Sequence, residues 1–171
     1  MNALVSIVMG SASDWAVMKK AAEMFEKFRI PFEVQALSAH RTPEQVKDYI
    51  YKIKNDGVKV IVAGAGGAAH LPGVIAAYTT LPVIGVPCRS SISLEGLDSI
   101  LSILQMPPGV PVATVGLDNA QNAAILAVQI LALTDEVIAE TLATYKKDLK
   151  NKIIKANNEF NQITDFKYKV N

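Results

Sequence analysis

The stretch that decides the fold is Val58-Lys-Val-Ile-Val-Ala63-Gly-Ala-Gly-Gly-Ala-Ala-His70. A short β-branched run lies between Gly57 and a glycine cluster, which predicts a strand over residues 58–63. Its near-continuous apolarity is that of a strand covered on both faces, as in a parallel sheet. The same unit recurs on either side. Residues 5–9 form an apolar run that stops at Gly10, and Trp15, Met18, Ala22, Phe25 and Phe28 then repeat at helical spacing with Asp14 in the N-cap position. Pro31 breaks the chain before a second strand over residues 32–37. Thr42-Pro-Glu-Gln45 is a helix start, with a Thr cap, Pro at the first helical position and Gln at the capping-box position; Val46, Tyr49, Ile50 and Ile53 make that helix's apolar face and Gly57 ends it.

Downstream, a helix over 71–78, a strand over 82–86 and a helix over 95–104 are expected before Pro107-Pro-Gly109 forces a turn. A fifth strand over 110–115, an apolar helix over 122–133 and a final helix from Asp135 to about Asn157 complete the pattern. Alternating strands and helices predict one α/β domain over residues 1–157, a doubly wound parallel sheet of flavodoxin-like type in a three-layer sandwich with a long C-terminal helix. Residues 158–171 are expected to be a weakly ordered tail.

Composition narrows the function classes. Of 171 residues, 50% are apolar and 19% charged, and the formal net charge is +1. That supports a real core and gives no bulk pull toward nucleic acid or membrane. The single cysteine, Cys88, excludes an internal disulfide framework and fits a reducing, cytoplasmic setting. Met1-Asn-Ala-Leu-Val5 lacks a basic signal-peptide start, and the apolar run 123–133 is too short to cross a bilayer.

Ligands of open parallel sheets bind beyond the carboxyl ends of the strands. Three loops meet that rule. Gly10-Ser-Ala-Ser-Asp14 offers Ser11 and Ser13 with helix N-terminal N–H groups for a phosphate, and Asp14 for ribose hydroxyls. Ser38-Ala-His-Arg-Thr42 pairs a bidentate anion ligand, Arg41, with a proton carrier, His40. In Gly64-Ala-Gly-Gly-Ala-Ala-His70, Gly66 and Gly67 would let backbone N–H groups approach an anion. Each has a plain alternative: helix caps, a surface arginine beside an incidental histidine, and a tight turn. Their coincidence favours a site, since both histidines of the chain fall in these loops. No Walker or G-x-G-x-x-G spacing is present, and two histidines without a carboxylate at ligand spacing make a weak metal site. Cys88 has no flanking base and reads as a small core residue, and the lysines from Lys146 to Lys155 read as a solvated helix face.

At these loops the sequence closely resembles the N5-carboxyaminoimidazole ribonucleotide mutase family. The resemblance rests on Gly10-Ser-Ala-Ser-Asp-Trp15, Ser38-Ala-His-Arg-Thr-Pro43, Gly64-Ala-Gly-Gly-Ala-Ala-His-Leu-Pro-Gly73, Gly85-Val-Pro87, Leu104-Gln-Met-Pro107 through Gly109-Val-Pro-Val112, and Asn122-Ala-Ala124. It implies a flavodoxin-like subunit in a homo-octamer with sites at subunit junctions, a small-molecule nucleotide substrate, and no metal or cofactor. It further implies Ser11, Ser13, Ser38 and Arg41 around the phosphate, Asp14 on the ribose, His40 as proton carrier, and Gly66, Gly67, Ala68, His70 and Leu71 around the base and the migrating carboxylate. The chain departs from the family pattern at Cys88-Arg89, in the short segment Gly116-Leu-Asp-Asn-Ala-Gln121 and beyond Ile153. Two alternatives stay open. A related branch carboxylates aminoimidazole ribonucleotide directly with CO2, and is expected to carry Lys after the loop histidine rather than Arg41. The other is a non-catalytic flavodoxin-like binding module.

Overall fold

The computed structural model describes residues 2–170. Five parallel strands, β1 Val5–Met9, β2 Phe32–Ala36, β3 Val60–Gly66, β4 Val83–Cys88 and β5 Ala113–Thr114, form one sheet in the order β2-β1-β3-β4-β5. That is the flavodoxin-like order, and it reverses direction between β1 and β3. The helices are α1 Trp15–Phe28, α2 Pro43–Asn55, α3 Leu71–Tyr78, α4 Leu97–Leu104, α5 Ala120–Leu131 and α6 Glu136–Asn161.

Two apolar layers hold the sheet. On one face Met18, Phe25, Ala123, Ala127 and Val128 of α1 and α5 pack on Ile7, Val60, Val62, Ile84 and Val86, with Tyr145 of α6 closing the edge. On the other, Val46, Ile50 and Ile53 of α2, Leu71 and Ile75 of α3 and Ile103 of α4 pack on Val8, Ile61, Ala63 and Val83. Strand residues point alternately to the two faces, so β1 is buried at every position and β3 at all but Gly66, and apart from Ser6 neither strand carries a polar side chain.

Several local expectations are corrected. β3 continues past Ala63 to Gly66, because its glycines sit where neighbours crowd the strand. A Cβ on Gly64 would strike Met18 Sδ, and one on Gly66 would lie 2.8 Å from the Cys88 carbonyl oxygen. β5 shrinks to two residues, Ala113 and Thr114. Pro111 has no N–H to give to a ladder, and the run of Pro107, Pro108 and Pro111 keeps the preceding chain out of the sheet. α4 begins at Leu97 rather than Glu95, since Glu95 and Gly96 both have positive φ, 54° and 87°.

The caps also differ. Asp14 makes no side-chain cap to α1; Ser11 caps a short 3-10 turn, Ala12–Asp14, and Asp14 answers as the acidic partner of that capping box. Thr42 does not cap α2 either. Its Oγ1 accepts from Ser38 N at 2.9 Å and donates to Ser38 O at 3.1 Å, closing the 38–42 loop on itself. α5 starts at Ala120 under an Asn119 cap, and α6 under an Asp135 cap runs past Asn157 to Asn161, into the stretch expected to be weakly ordered. Of the ranges 1–157 and 158–171, Met1 and Asn171 lie outside the described residues.

Candidate active site

The switch between β1 and β3 makes a crevice, and the four strands β1 to β4 all deliver loops to it. The resulting cleft has a volume of about 400 Å³. It is lined by Ser11, Ser13, Asp14, Ser38, His40, Arg41, Gly66, Ala68, His70 and Leu71 among others, so ten of the expected residues converge on it. Gly67 does not line it.

The first loop is pre-shaped by its own hydrogen bonds. Ser11 N donates to Asp14 Oδ2 at 3.0 Å, and Ser13 Oγ donates to Ser11 Oγ at 3.0 Å. Asp14 is 6% exposed. Burial pushes its carboxyl above the ordinary carboxylate value, opposed by the Ser11 N–H and by the Arg41 charge. The second loop is tied to the first. Arg41 Nη2 donates to the Gly10 carbonyl at 3.3 Å, while Arg41 Nε and N both donate to Ser38 Oγ, at 3.3 and 3.2 Å. The guanidinium is thus oriented along the mouth of the cleft by neutral acceptors, and its charge remains available to an anion.

In the same cleft, His40 Nε2 and His70 Nδ1 lie 2.8 Å apart with their rings edge-to-face at 78°. One nitrogen donates and the other accepts, so the pair shares one proton across that contact. The chain positions them by different means: His40 by the self-closed 38–42 loop, and His70 as the residue that enters α3, where Val74 N bonds back to its carbonyl at 3.0 Å.

The glycine loop is corrected in one respect. Gly67 N–H was expected to face an anion, but it donates inward to Ser99 Oγ at 2.8 Å. Gly67 adopts φ +63°, a left-handed conformation that favours glycine, and Ile92 covers it. The loop's half-buried Gly66 and exposed Ala68 line the cleft instead.

Ser90, Ser91 and Ile92 also line the cleft, and the sequence reading missed them. The signal was available: they follow β4, and the strand-end rule applied to three loops applies to the fourth as well. Cys88, at the end of β4, is buried, and desolvation first, then the Asp14 and Asp118 charges, push its thiol up to about 12. It is a core residue, as expected, and holds no thiolate near neutral pH. Among the described residues, no three His, Cys, Asp or Glu side chains cluster closely enough to hold a metal ion.

With this geometry established, similarity to known proteins is informative. The AIR carboxylase family matches residues 4–152. The chain belongs to this family. It is 57% identical over 150 residues to the N5-carboxyaminoimidazole ribonucleotide mutase of Pyrococcus horikoshii, covering 88% of this chain and 84% of that protein. It is 51% identical over 159 residues to the mutase of Thermotoga maritima, covering 93% and 92%. The crystal structure of Treponema denticola PurE superposes with a TM-score of 0.82 at 32% identity, over 91% of this chain and 96% of that one. The family match ends within α6, so the last turns of that helix and the tail lie outside it.

Proposed function

We propose that this chain is an isomerase of purine (IMP) biosynthesis that converts N5-carboxyaminoimidazole ribonucleotide into 4-carboxyaminoimidazole ribonucleotide. The observation that carries the reading is the His40–His70 contact at 2.8 Å, in one cleft with the small residues Gly66 and Ala68 and with Ser11, Ser13 and Arg41. Phosphate meets the serines and Arg41, and Asp14 accepts from the ribose hydroxyls. The base then extends toward the histidines. The N–CO2 bond breaks, and His40 delivers a proton to the departing nitrogen. The freed aminoimidazole is electron-rich at the adjacent ring carbon, which attacks the CO2 held against it. The same histidine removes the proton from that carbon, so one proton is given and one recovered and no oxidant enters. Holding CO2 against the ring carbon makes its recapture effectively intramolecular. His70 and Leu71, with Gly66 and Ala68, surround the base and the migrating carboxylate.

Arg41 after His40 and the intact Gly66-Gly-Ala-Ala-His70 run favour the mutase over direct carboxylation by CO2; the Pyrococcus horikoshii and Thermotoga maritima relatives carry the mutase name, while a Vigna aconitifolia relative at 51% identity is named phosphoribosylaminoimidazole carboxylase. The reading includes a cytoplasmic location, and no helix among the described residues is long and apolar enough to cross a membrane. It also includes a homo-octamer. Turnover of the N5-carboxy substrate should proceed without ATP, without added bicarbonate and in excess EDTA, because the carboxylate is already attached. Activity restored by one divalent ion after chelation, or seen only with aminoimidazole ribonucleotide plus bicarbonate, would overturn the assignment.

A further inference from the structure

Among the described residues the buried polar side chains are Ser6 and Ser99, neither exposed at all, and Asp14 at 6%. Ser99 lies on the inner face of α4, away from the substrate cleft, and nothing in its sequence context separates it from an ordinary helix serine. Its hydroxyl makes two bonds across three elements. Oγ accepts the Gly67 N–H at 2.8 Å and donates to the Cys88 carbonyl at 2.9 Å. Its own backbone N–H is held by Asp98 Oδ1 at 2.9 Å. The hydroxyl therefore clamps the residue after β3 to the last residue of β4, with α4 as the anvil.

Each end of the clamp leads directly to the cleft. From Gly67 the chain turns tightly, with Ala69 N bonded to Gly67 O and His70 N to Ala68 O, both at 2.8 Å, and arrives at His70. From Cys88 it leads to Ser90, Ser91 and Ile92 on the cleft wall. Gly67 needs the clamp for a conformational reason as well. A glycine loses more backbone freedom on ordering than any other residue, and this one is held at φ +63° with its N–H on the Ser99 hydroxyl. With its N–H unbonded, the Gly67–His70 turn would sample other conformations and the His40–His70 contact would loosen.

We infer that Ser99 is a positioning residue for the reaction: through Gly67 it sets where His70, and hence the histidine pair, stands over the substrate. This rests on the proposed mutase reading. It places no demand on the phosphate and ribose edge, because Ser11, Ser13, Asp14, Ser38 and Arg41 lie on other loops with their own hydrogen bonds.

The test is steady-state kinetics of Ser99→Ala and Ser99→Cys beside the parent, with amide hydrogen exchange at Gly67 in all three. The Cys variant keeps the side-chain volume and guards against a packing defect. A misplacement near 1 Å can cost about 100-fold in rate. We expect kcat to fall about 10- to 100-fold in folded variants, KM to stay within about threefold, and Gly67 exchange to accelerate. Parent-like kcat in either folded variant would overturn the inference. So would an apparent kcat that falls only in proportion to the folded fraction with KM unchanged, or a loss of folding in both variants, since each would make Ser99 merely structural. An inactive parent would instead sink the mutase reading, and the Gly67 exchange would still report whether the clamp exists.

Discussion

His40 and Arg41 are neighbours in the chain, yet they should fail differently when changed. Arg41 meets a phosphate that is anionic before and during reaction, so its loss removes binding common to both states. Arg41→Ala should weaken nucleotide binding by about 1.5 to 3 kcal/mol, roughly 10- to 100-fold, in a calorimetric titration. His40→Asn should bind nearly as well as the parent but turn over about 100- to 10,000-fold more slowly, because Asn cannot cycle a proton. Parent-like turnover in that variant would remove His40 from the mechanism. Asp14 allows a stability test. Its pKa is raised by burial, so its folded-state value exceeds the unfolded one near 3.8. The stability it contributes is full below that unfolded value and is lost as pH rises through the folded value. Asp14→Asn removes this loss while keeping an oxygen to accept the Ser11 N–H. Thermal unfolding at pH 7 should find it at least as stable as the parent, whereas Asp14→Ala, which breaks the capping box, should cost about 1 kcal/mol. Both should bind nucleotide more weakly. These residues were legible in the sequence because the chemistry of Ser, Asp, His and Arg is local. The contact of His40 with His70 was not, since it joins residues 30 apart in sequence.

The elements were legible where apolar periodicity is strong. β1, α2 and α3 follow directly from it, and Gly57, at φ +97°, ends its helix region as expected. What escaped was set by neighbours. Nothing in Gly64-Ala-Gly-Gly67 says that the strand continues to Gly66, because the reason lies in Met18, Cys88 and Ser90. Likewise, Ser11 rather than Asp14 caps, and Thr42 turns back to Ser38, because several hydroxyls compete for the same N–H groups. The glycine account predicts that Gly66→Ala is destabilising although alanine is the better strand former. Its Cβ would press on the backbone at Cys88 and on Ser90, a crowding worth about 1 to 3 kcal/mol. A urea midpoint unchanged from the parent would show that β4 can yield there, and the close-approach explanation would be wrong.

At the scale of the molecule, α5 is apolar on nearly every face, and much of that surface is used within the chain. In the fold, Ala120, Ala123, Ala124, Ala127, Val128 and Leu131 are buried within the same chain, and Ile125, Leu126 and Ile130 are half-buried against that core. Ile138, Leu142 and Tyr145 of α6 pack there too, leaving Leu149 and Ile153 outside. α4 carries an uncovered stripe as well. Leu97, Leu101 and Leu104 are 59%, 46% and 57% exposed, spaced at helical turns, and Ile92 and Leu94 extend the patch to the rim of the cleft. A patch of that kind on a monomer marks an interaction site, and its continuity with Ile92 suits sites shared between subunits. Light scattering should give an oligomer, octameric on the family resemblance, and Leu101→Lys should reduce its mass without unfolding the chain. A parent monomer at micromolar concentration with full turnover would refute the shared-site reading.

The central claim is that one carboxylate leaves nitrogen and returns to carbon within one cleft. It is tested most directly by supplying N5-carboxyaminoimidazole ribonucleotide labelled with 13C in that carboxylate, in a buffer equilibrated with unlabelled CO2 and without ATP, and following the product by mass spectrometry. The account predicts 4-carboxyaminoimidazole ribonucleotide that keeps the label. Product that forms with the label diluted to the level of the dissolved pool, or no product at all, would contradict it.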